Sequence, residues 1–252
     1  MTAERAVRIL DSVPPEIVVH DEPGTCAYLG DRHWRLPLRL PIRALGRAEL
    51  DERLAAGDRR QGRLLYRASC PDCRAFVPLR IDVARFEPSR SQRRALGRGD
   101  RQLQVEIGPL ELSAERLRLY NRHKQLRGLS RDEQEAGAEL YRIVLADTCC
   151  ESFELRYSLD GELCGVAVVD RGESALSAVY CYYNPDHSRL SPGTYSILKQ
   201  IELCRTWGLR YLYLGLYIAE CHPMAYKALF LPQERLINGR WTVFERSGRE
   251  QP

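Results

Sequence analysis

The chain has 252 residues, 44% of them hydrophobic and 29% charged, with a formal charge of +4. That length can bury one large core or two smaller ones. So small a positive excess excludes indiscriminate nucleic-acid binding but allows a local basic patch. No run approaches the roughly 18 apolar residues of a membrane helix. The opening MTAERAVRILDSVPPE lacks the apolar core of a signal peptide, so the expected compartment is the cytoplasm. Nine cysteines, an odd number, argue against a disulfide framework in that compartment.

Residues 1–25 carry Pro14, Pro15, Pro23 and Gly24 and read as an irregular arm. Cys26-Ala27-Tyr28-Leu29 follows. Ala48 to Ala56 has helical composition and stops at Gly57. Leu64 to Tyr66 is a short strand, Cys70-Pro71-Asp72-Cys73 a turn and Phe76 to Val83 a second strand. Pro88-Ser89 caps a helix from Arg90 to Leu96. Leu112 to Arg127 is a helix capped near Ser113, with Leu112, Leu119 and Leu126 at heptad spacing, and Arg131 to Leu145 is another.

Phe153 to Tyr157 and Leu163 to Asp170 read as strands joined by Asp160-Gly161, a strong hairpin signal. Ala178 to Tyr183 is rich in β-branched and aromatic residues and ends at Asn184-Pro185-Asp186. Ser191-Pro192-Gly193-Thr194 opens a helix whose apolar positions recur at helical spacing as far as Trp207-Gly208. Arg210 to Ile218 is nearly continuous in apolar residues, the pattern of a strand buried on both faces. A strand, a turn, a helix and a second strand put a helix N-terminus at the end of a sheet, where its unpaired N–H groups favour an anion or a carbonyl oxygen. Ser191, Gly193 and Thr194 are the candidates for that contact. Cys164, Cys181 and Cys204 fall in apolar patterns and read as core residues.

The wording of two blocks is more specific than their architecture. YYNPDHSRLSPGTYSIL, LYLGLYI and C-x-x-M-x-Y-K-x-x-x-x-P resemble the C-terminal half of the aminoacyl-tRNA–protein transferases. That family comprises the arginyl-tRNA–protein transferases and the bacterial aspartate/glutamate leucyltransferases. Cys26, the pair Cys70 and Cys73, and the run Pro88 to Arg94 resemble its N-terminal domain. At Gly57 to Gly62 the family's G-aromatic-R-R-S-G element is altered, with Asp58 for the aromatic and Gln61 for the serine. Pro223 stands where the family often has Lys, so no role passes to that position. The resemblance covers roughly residues 26–100 and 140–242.

The resemblance implies an α/β (α+β) chain with a GNAT-like C-terminal catalytic domain over residues 111–252. A smaller N-terminal α+β domain carrying the Cys pair takes residues 1–110. It implies transfer of an amino acid from aminoacyl-tRNA to the α-amine of proteins beginning with Asp or Glu, which creates an N-degron. Partners are then aminoacyl-tRNA and those acceptor proteins, with neither membrane nor DNA involved. The compact chain, the single-Cys CAYL start and the PSRSQRR run favour leucine as the transferred residue, and arginine is the alternative. An acetyl-CoA-dependent N-acetyltransferase on the same fold needs R-x-x-G-x-[GA] before the helix, and SRLSPGTYS lacks it. A non-catalytic binder of tRNA or of N-degrons is a further alternative.

The ester linking an amino acid to tRNA is already activated. The protein has only to position the reactants and stabilise an oxyanion, so no cofactor is required. Asp186, Tyr217, Tyr226 and Lys227 are the polar groups of the central stretch that can orient the amine or donate to the oxyanion. Each also reads as ordinary scaffold: a turn aspartate, a strand tyrosine, a loop pair. From Arg74 to Arg101 eight arginines face three carboxylates, a net charge of +5 that exceeds that of the whole chain. Arginine suits bidentate recognition of phosphate or carboxylate. Arg80, Arg90, Arg93 and Arg94 are therefore candidate substrate contacts, against the reading of a solvated helix face. Cys26, Cys70 and Cys73 offer three thiolates for a metal or iron–sulfur cluster, one short of the usual four, with His33 available as a fourth. The other reading is three thiols packed near a strand turn.

Overall fold

The computed structural model describes residues 7–128 and 135–246. Its N-terminal part is a five-stranded sheet. β1 (Ile9–Leu10), β2 (Glu16–His20) and β5 (Leu38–Pro41) pair antiparallel with one another, and β7 (Leu64–Tyr66) and β6 (Arg59–Gln61) complete the order β1-β2-β5-β7-β6. Residues 7–25, the described part of that stretch, are thus not an irregular arm. Pro14 and Pro15 fall in the connection between β1 and β2, where a missing N–H breaks no ladder. β3 (Gly24–Thr25) and β4 (His33–Trp34) form a small separate hairpin. α1 (Arg47–Ala55) ends at Gly57, whose φ of +93° suits a residue without Cβ.

The rest of the chain builds one eight-stranded sheet, ordered β15-β14-β8-β13-β12-β11-β10-β9. Its strands are β8 (Val77–Asp82), β9 (Leu103–Gly108), β10 (Ser152–Leu159), β11 (Glu162–Arg171), β12 (Ala175–Tyr183), β13 (Tyr211–Tyr217), β14 (Gln233–Ile237) and β15 (Arg240–Phe244). Both β8 and β9 precede residue 110, and β8 lies between β13 and β14. Hairpin pairing brings β10 to β11 through Asp160 and Gly161, both at positive φ, as the Asp-Gly signal requires.

The helices are α2 (Arg90–Gln102), α3 (Ala114–Leu126), α4 (Ala138–Tyr141) and α5 (Pro192–Thr206), with the single turn α6 (His222–Ala225) after β13. Ser89 caps α2, accepting from the Gln92 N–H while Gln92 accepts from the Ser89 N–H. That capping box starts a helix six residues longer than the expected end at Leu96. Ser113 caps α3 as expected. Of the heptad leucines only Leu119 is buried, because α3 meets the sheet over a single stretch. The helix expected over Arg131 to Leu145 is partly outside the described residues. Within them α4 runs into a π-helical turn, Arg142–Ala146.

The sheet is covered on both sides, which is why its central strands read as unbroken apolar runs. On β11, Ala167 and Val169 face the core formed with α2 and α5, while Val166 and Val168 face the core formed with α3 and Tyr141. On β13, Leu212 and Leu214 join the first core, and Tyr213 packs with Leu50, Leu54 and Leu65 beneath α1 and β7. No described helix is long and apolar enough to cross a membrane.

Candidate functional site

The one parallel pairing in the large sheet joins β12 to β13, and it lasts three residues, Ala175–Ser177 against Tyr211–Tyr213. Beyond that point the strands splay. β12 is bulged at this level in its pairing with β11, and β13 is bulged between Tyr213 and Gly215 in its pairing with β8. Gly215 has φ +82°, and a Cβ on it would come within 3.2 Å of the Arg59 guanidinium. The backbone thus makes room for a side chain from the neighbouring sheet. The carboxyl ends of diverging parallel strands are where open α/β sheets bind ligands.

Arg59 fills the base of the splay. It is 7% exposed, and its Nη2 donates to the Ala178 carbonyl at 3.1 Å, one residue past the end of the β12–β13 pairing. Burial is the main cause that pulls its pKa down. Lys227 enters from the loop after β13 and donates to the Leu216 carbonyl at 2.6 Å. Desolvation, then the positive charge of Arg59, lowers the Lys227 ammonium to about 7. Tyr226 precedes it in the chain, and burial is the main cause that raises its hydroxyl to about 12, so it is a proton donor at neutral pH. His123 lies behind β12, its ring against Tyr183 and its Nδ1 accepting from the Tyr183 N–H at 3.3 Å. Burial lowers it to about 4, so it is neutral.

A cleft of about 470 Å³ opens next to this splay, at the start of α5. Gly99 lets α2 cross close over α5, since a Cβ there would strike the Tyr195 ring at 2.3 Å, and the Tyr195 hydroxyl donates to Asp100. The crossing holds Arg94 and Arg98 against the first turn of α5. The cleft is lined by those two, by Arg246 and by Ser191, Thr194 and Tyr226, with no carboxylate among its lining side chains. Ser191 is left-handed, and its hydroxyl accepts from Arg98 at 3.3 Å instead of capping α5. Pro192 has no N–H to satisfy. An uncapped helix N-terminus flanked by arginines and hydroxyls is an anion site by its chemistry.

The structure brings four of the residues expected from sequence into this cleft: Arg94, Ser191, Thr194 and Tyr226. Gly193 lies in the first turn of α5 under the Tyr183 ring, and Lys227 sits at the adjoining splay. The others lie elsewhere. Arg90 and Arg93 are exposed on α2 outside the cleft lining, and Arg93 donates to the Pro88 carbonyl. Arg80 is occupied within the sheet by Glu234 at 2.7 Å, by the Tyr213 hydroxyl and by the faces of Tyr211 and Trp241. Asp186 pairs with Arg122 on an exposed turn. Tyr217 packs at the core edge under the Arg235 guanidinium.

Cys26 accepts from the Leu29 N–H, and Cys73 accepts from Arg32 at 3.5 Å, a contact that lowers the Cys73 thiol. Cys70 is buried. Among the described residues no three His, Cys, Asp or Glu side chains are grouped to hold a metal ion. Sequence reasoning missed Arg59, Arg98 and Arg246. Arg98 was inside the counted arginine run, and Arg59 inside the Gly57 to Gly62 block, but no local pattern points either one toward β13 or α5.

Comparison with known proteins gives one consistent answer. Residues 24–94 match the family model described as arginine-tRNA-protein transferase, N terminus, and residues 115–237 match the corresponding C terminus. The chain is 36% identical over 219 residues to the aspartate/glutamate leucyltransferase of Chromobacterium violaceum, covering 87% of this chain and 90% of that protein. For the enzyme of the same description from Methylobacillus flagellatus the identity is 37%, covering 90% and 92%. For that from Marinobacter nauticus it is 38%, covering 87% and 92%. Among solved structures, FemX overlays with a TM-score of 0.46 at 10% identity, covering 72% of this chain and 64% of that one. A likeness that loose carries no argument.

Proposed function

This chain belongs to the arginine-tRNA–protein transferase family of aminoacyltransferases, and from that premise we propose that it transfers leucine from leucyl-tRNA to the α-amine of proteins that begin with Asp or Glu. The relatives' description supports leucine over arginine as the donor residue. The observation that carries the reading is that two unlike features adjoin, the cleft being lined by Tyr226 and the splay holding the next residue, Lys227. One is a cationic helix N-terminus free of carboxylates, suited to the phosphates and ribose of a tRNA 3′ end. The other is a splay whose lysine is near-neutral at working pH. The succession of an antiparallel meander, a helix and a splayed parallel strand also supports a GNAT-like reading of residues 150–240.

In this reading the acceptor's α-amine attacks the ester carbonyl carbon. A C–N bond forms, the bond to the ribose 3′ oxygen breaks, the amine loses a proton and the departing oxygen gains one. Neutral Lys227 accepts the amine's proton, its lone pair free while an N–H donates to the Leu216 carbonyl. Tyr226, still protonated, donates to the oxyanion, and the first N–H groups of α5 add a favourable dipole. Arg94, Arg98 and Arg246 hold phosphate. No metal or other cofactor has a step to perform, because the ester is activated before it arrives. A tRNA donor also implies a cytoplasmic enzyme.

The deciding experiment charges tRNA separately with labelled leucine and labelled arginine and offers peptides beginning with Asp, Glu or Ala. Leucine on the Asp and Glu peptides alone is the expected product. Arginine transfer, or acetylation of the same peptides by acetyl-CoA at a comparable rate, overturns the assignment.

A further inference from the structure

We infer that Arg59, with Lys227 beside it, binds the side-chain carboxylate of the acceptor's first residue. This rests on the aminoacyl-transfer reading above. The inference begins from an imbalance of charge. Arg59 and Arg60 are neighbours on β6, and both are buried. Arg60 spends three hydrogen bonds on Asp170, at 2.7 to 2.9 Å, and donates further to the Gly62 and Asp147 carbonyls. Asp170 also accepts from Ser152 at 2.6 Å. The acid nearby is therefore taken.

Among the described residues Arg59 has no carboxylate of its own. Its Nη2 reaches only a backbone carbonyl, and its Nη1 is buried with no hydrogen-bond partner among the described residues. A buried guanidinium without its acid is costly and rare, and a buried donor without an acceptor costs the full desolvation of that group. Lys227 is the second cation at this place and likewise bonds a carbonyl rather than an acid. The positive field of Arg59 is felt at Lys227, and both side chains converge on the bulged segment Gly215–Leu216. The missing partner is an anion.

The geometry of the acceptor supplies that anion in the right place. In Asp or Glu the carboxylate stands one or two methylenes from the carbon that bears the reacting amine. A base for the amine and a cation for the acid must then be close neighbours, as Lys227 and Arg59 are. Arginine's fixed fork, already half used on Ala178, leaves one N–H edge for a carboxylate oxygen. Arg80, which the sequence offered for this task, has its own acid and two aromatic faces. Gly215 is required first by its φ of +82°, and a Cβ there would also crowd the Arg59 guanidinium at 3.2 Å.

The test measures transfer and binding separately, with peptides beginning with Asp, Asn or Ala. Wild-type protein is expected to prefer Asp over Asn by about tenfold to a hundredfold in kcat/KM, as for a charge-assisted contact. Arg59→Gln should bring that ratio to within about threefold through a higher KM for the Asp peptide, while leucyl-tRNA still binds with wild-type affinity. Arg59→Lys, which keeps the charge, should restore part of the preference and serves if the Gln variant does not fold. Retention of the full wild-type ratio in a folded Gln or Lys variant overturns the proposal and leaves Arg59 a plug at the strand splay. Calorimetric binding of the Asp and Asn peptides without tRNA examines Arg59 independently of the donor. Equal affinities in wild-type protein overturn the carboxylate site. Failure of wild-type protein to transfer leucine to any peptide would instead count against the aminoacyl-transfer reading.

Discussion

The two ends of β12 teach different lessons about the same pair of arginines. At its start β12 pairs with β13, and on the neighbouring strand Asp170 is gripped by Arg60 with every polar group matched. Although burial disfavours its charge, Arg60 is held firmly protonated by that carboxylate. At its far end β12 has lost β13, and Arg59 and Lys227 sit among carbonyls with no acid between them. The closed end is built for stability and the open end holds unspent charge. At the closed end the Arg60–Asp170 pair is satisfied, and at the open end Arg59 Nη1 has no hydrogen-bond partner among the described residues.

The largest expected effect breaks the closed end. Arg60→Ala strands Asp170 in the interior, which should cost ~3–5 kcal/mol in urea unfolding. A loss below about 1 kcal/mol would mean that the pair is not what holds β6 to the sheet. At the open end, Lys227→Met should lower kcat by about a hundredfold or more, since a general base contributes on that scale. Wild-type activity should fall as pH drops through about 7, the value to which burial and Arg59 bring Lys227, because only the neutral amine accepts a proton. An unfolded lysine stays charged to about 10.4, so between those values the unfolded state binds more protons and stability rises with pH. The Met variant should lose that rise in thermal melts and should not melt below wild type at pH 7. An unchanged rate limb in Lys227→Met would remove it as the base.

His123 sharpens the comparison through pH alone. Its folded value of about 4 lies below the ordinary 6.5 because burial penalises the charged ring. The unfolded chain therefore takes up the proton first, and stability drains away as pH falls from about 6.5 to about 4, by ~2 kcal/mol at pH 5. His123→Gln should flatten that limb of the stability curve. Smaller effects belong to the cleft. Arg98→Ala and Arg94→Ala should weaken leucyl-tRNA binding several-fold and make its salt dependence shallower, by about one unit for each phosphate left without its arginine. Arg90→Ala, outside the lining, should change tRNA affinity and stability least, within about 0.5 kcal/mol for folding. If Arg90 proves as costly as Arg98, the anion path runs along α2 and not into the cleft.

Local patterns carried much of this molecule. The apolar runs of β11 and β13 announced strands buried on both faces, and Asp160-Gly161 announced its hairpin. Ser89 and Ser113 marked helix starts because a cap needs only its own first turn. The start of α5 was legible from Pro192, which fits a first helical turn, although Ser191 does not cap it. Asn238-Gly239, both at positive φ between β14 and β15, carried an equally strong hairpin signal that went unread. The N-terminal prolines misled because their cost depends on whether the lost N–H faces a partner strand, which no local pattern states.

Tertiary structure decided which cations matter. The arginine-rich stretch was visible in composition, but Arg80 turned out to be spent on Glu234 while Arg94 and Arg98 line the cleft. Arg59 and Arg60 are identical in type and adjacent in sequence, and a strand sends them to opposite faces. One meets an acid 110 residues away and the other meets a gap between two strands more than a hundred residues away. Sequence specifies residue types and local geometry. Whether a buried charge is satisfied or left waiting depends on what the rest of the chain brings to it, and that is set only when the sheet closes at one end and splays at the other.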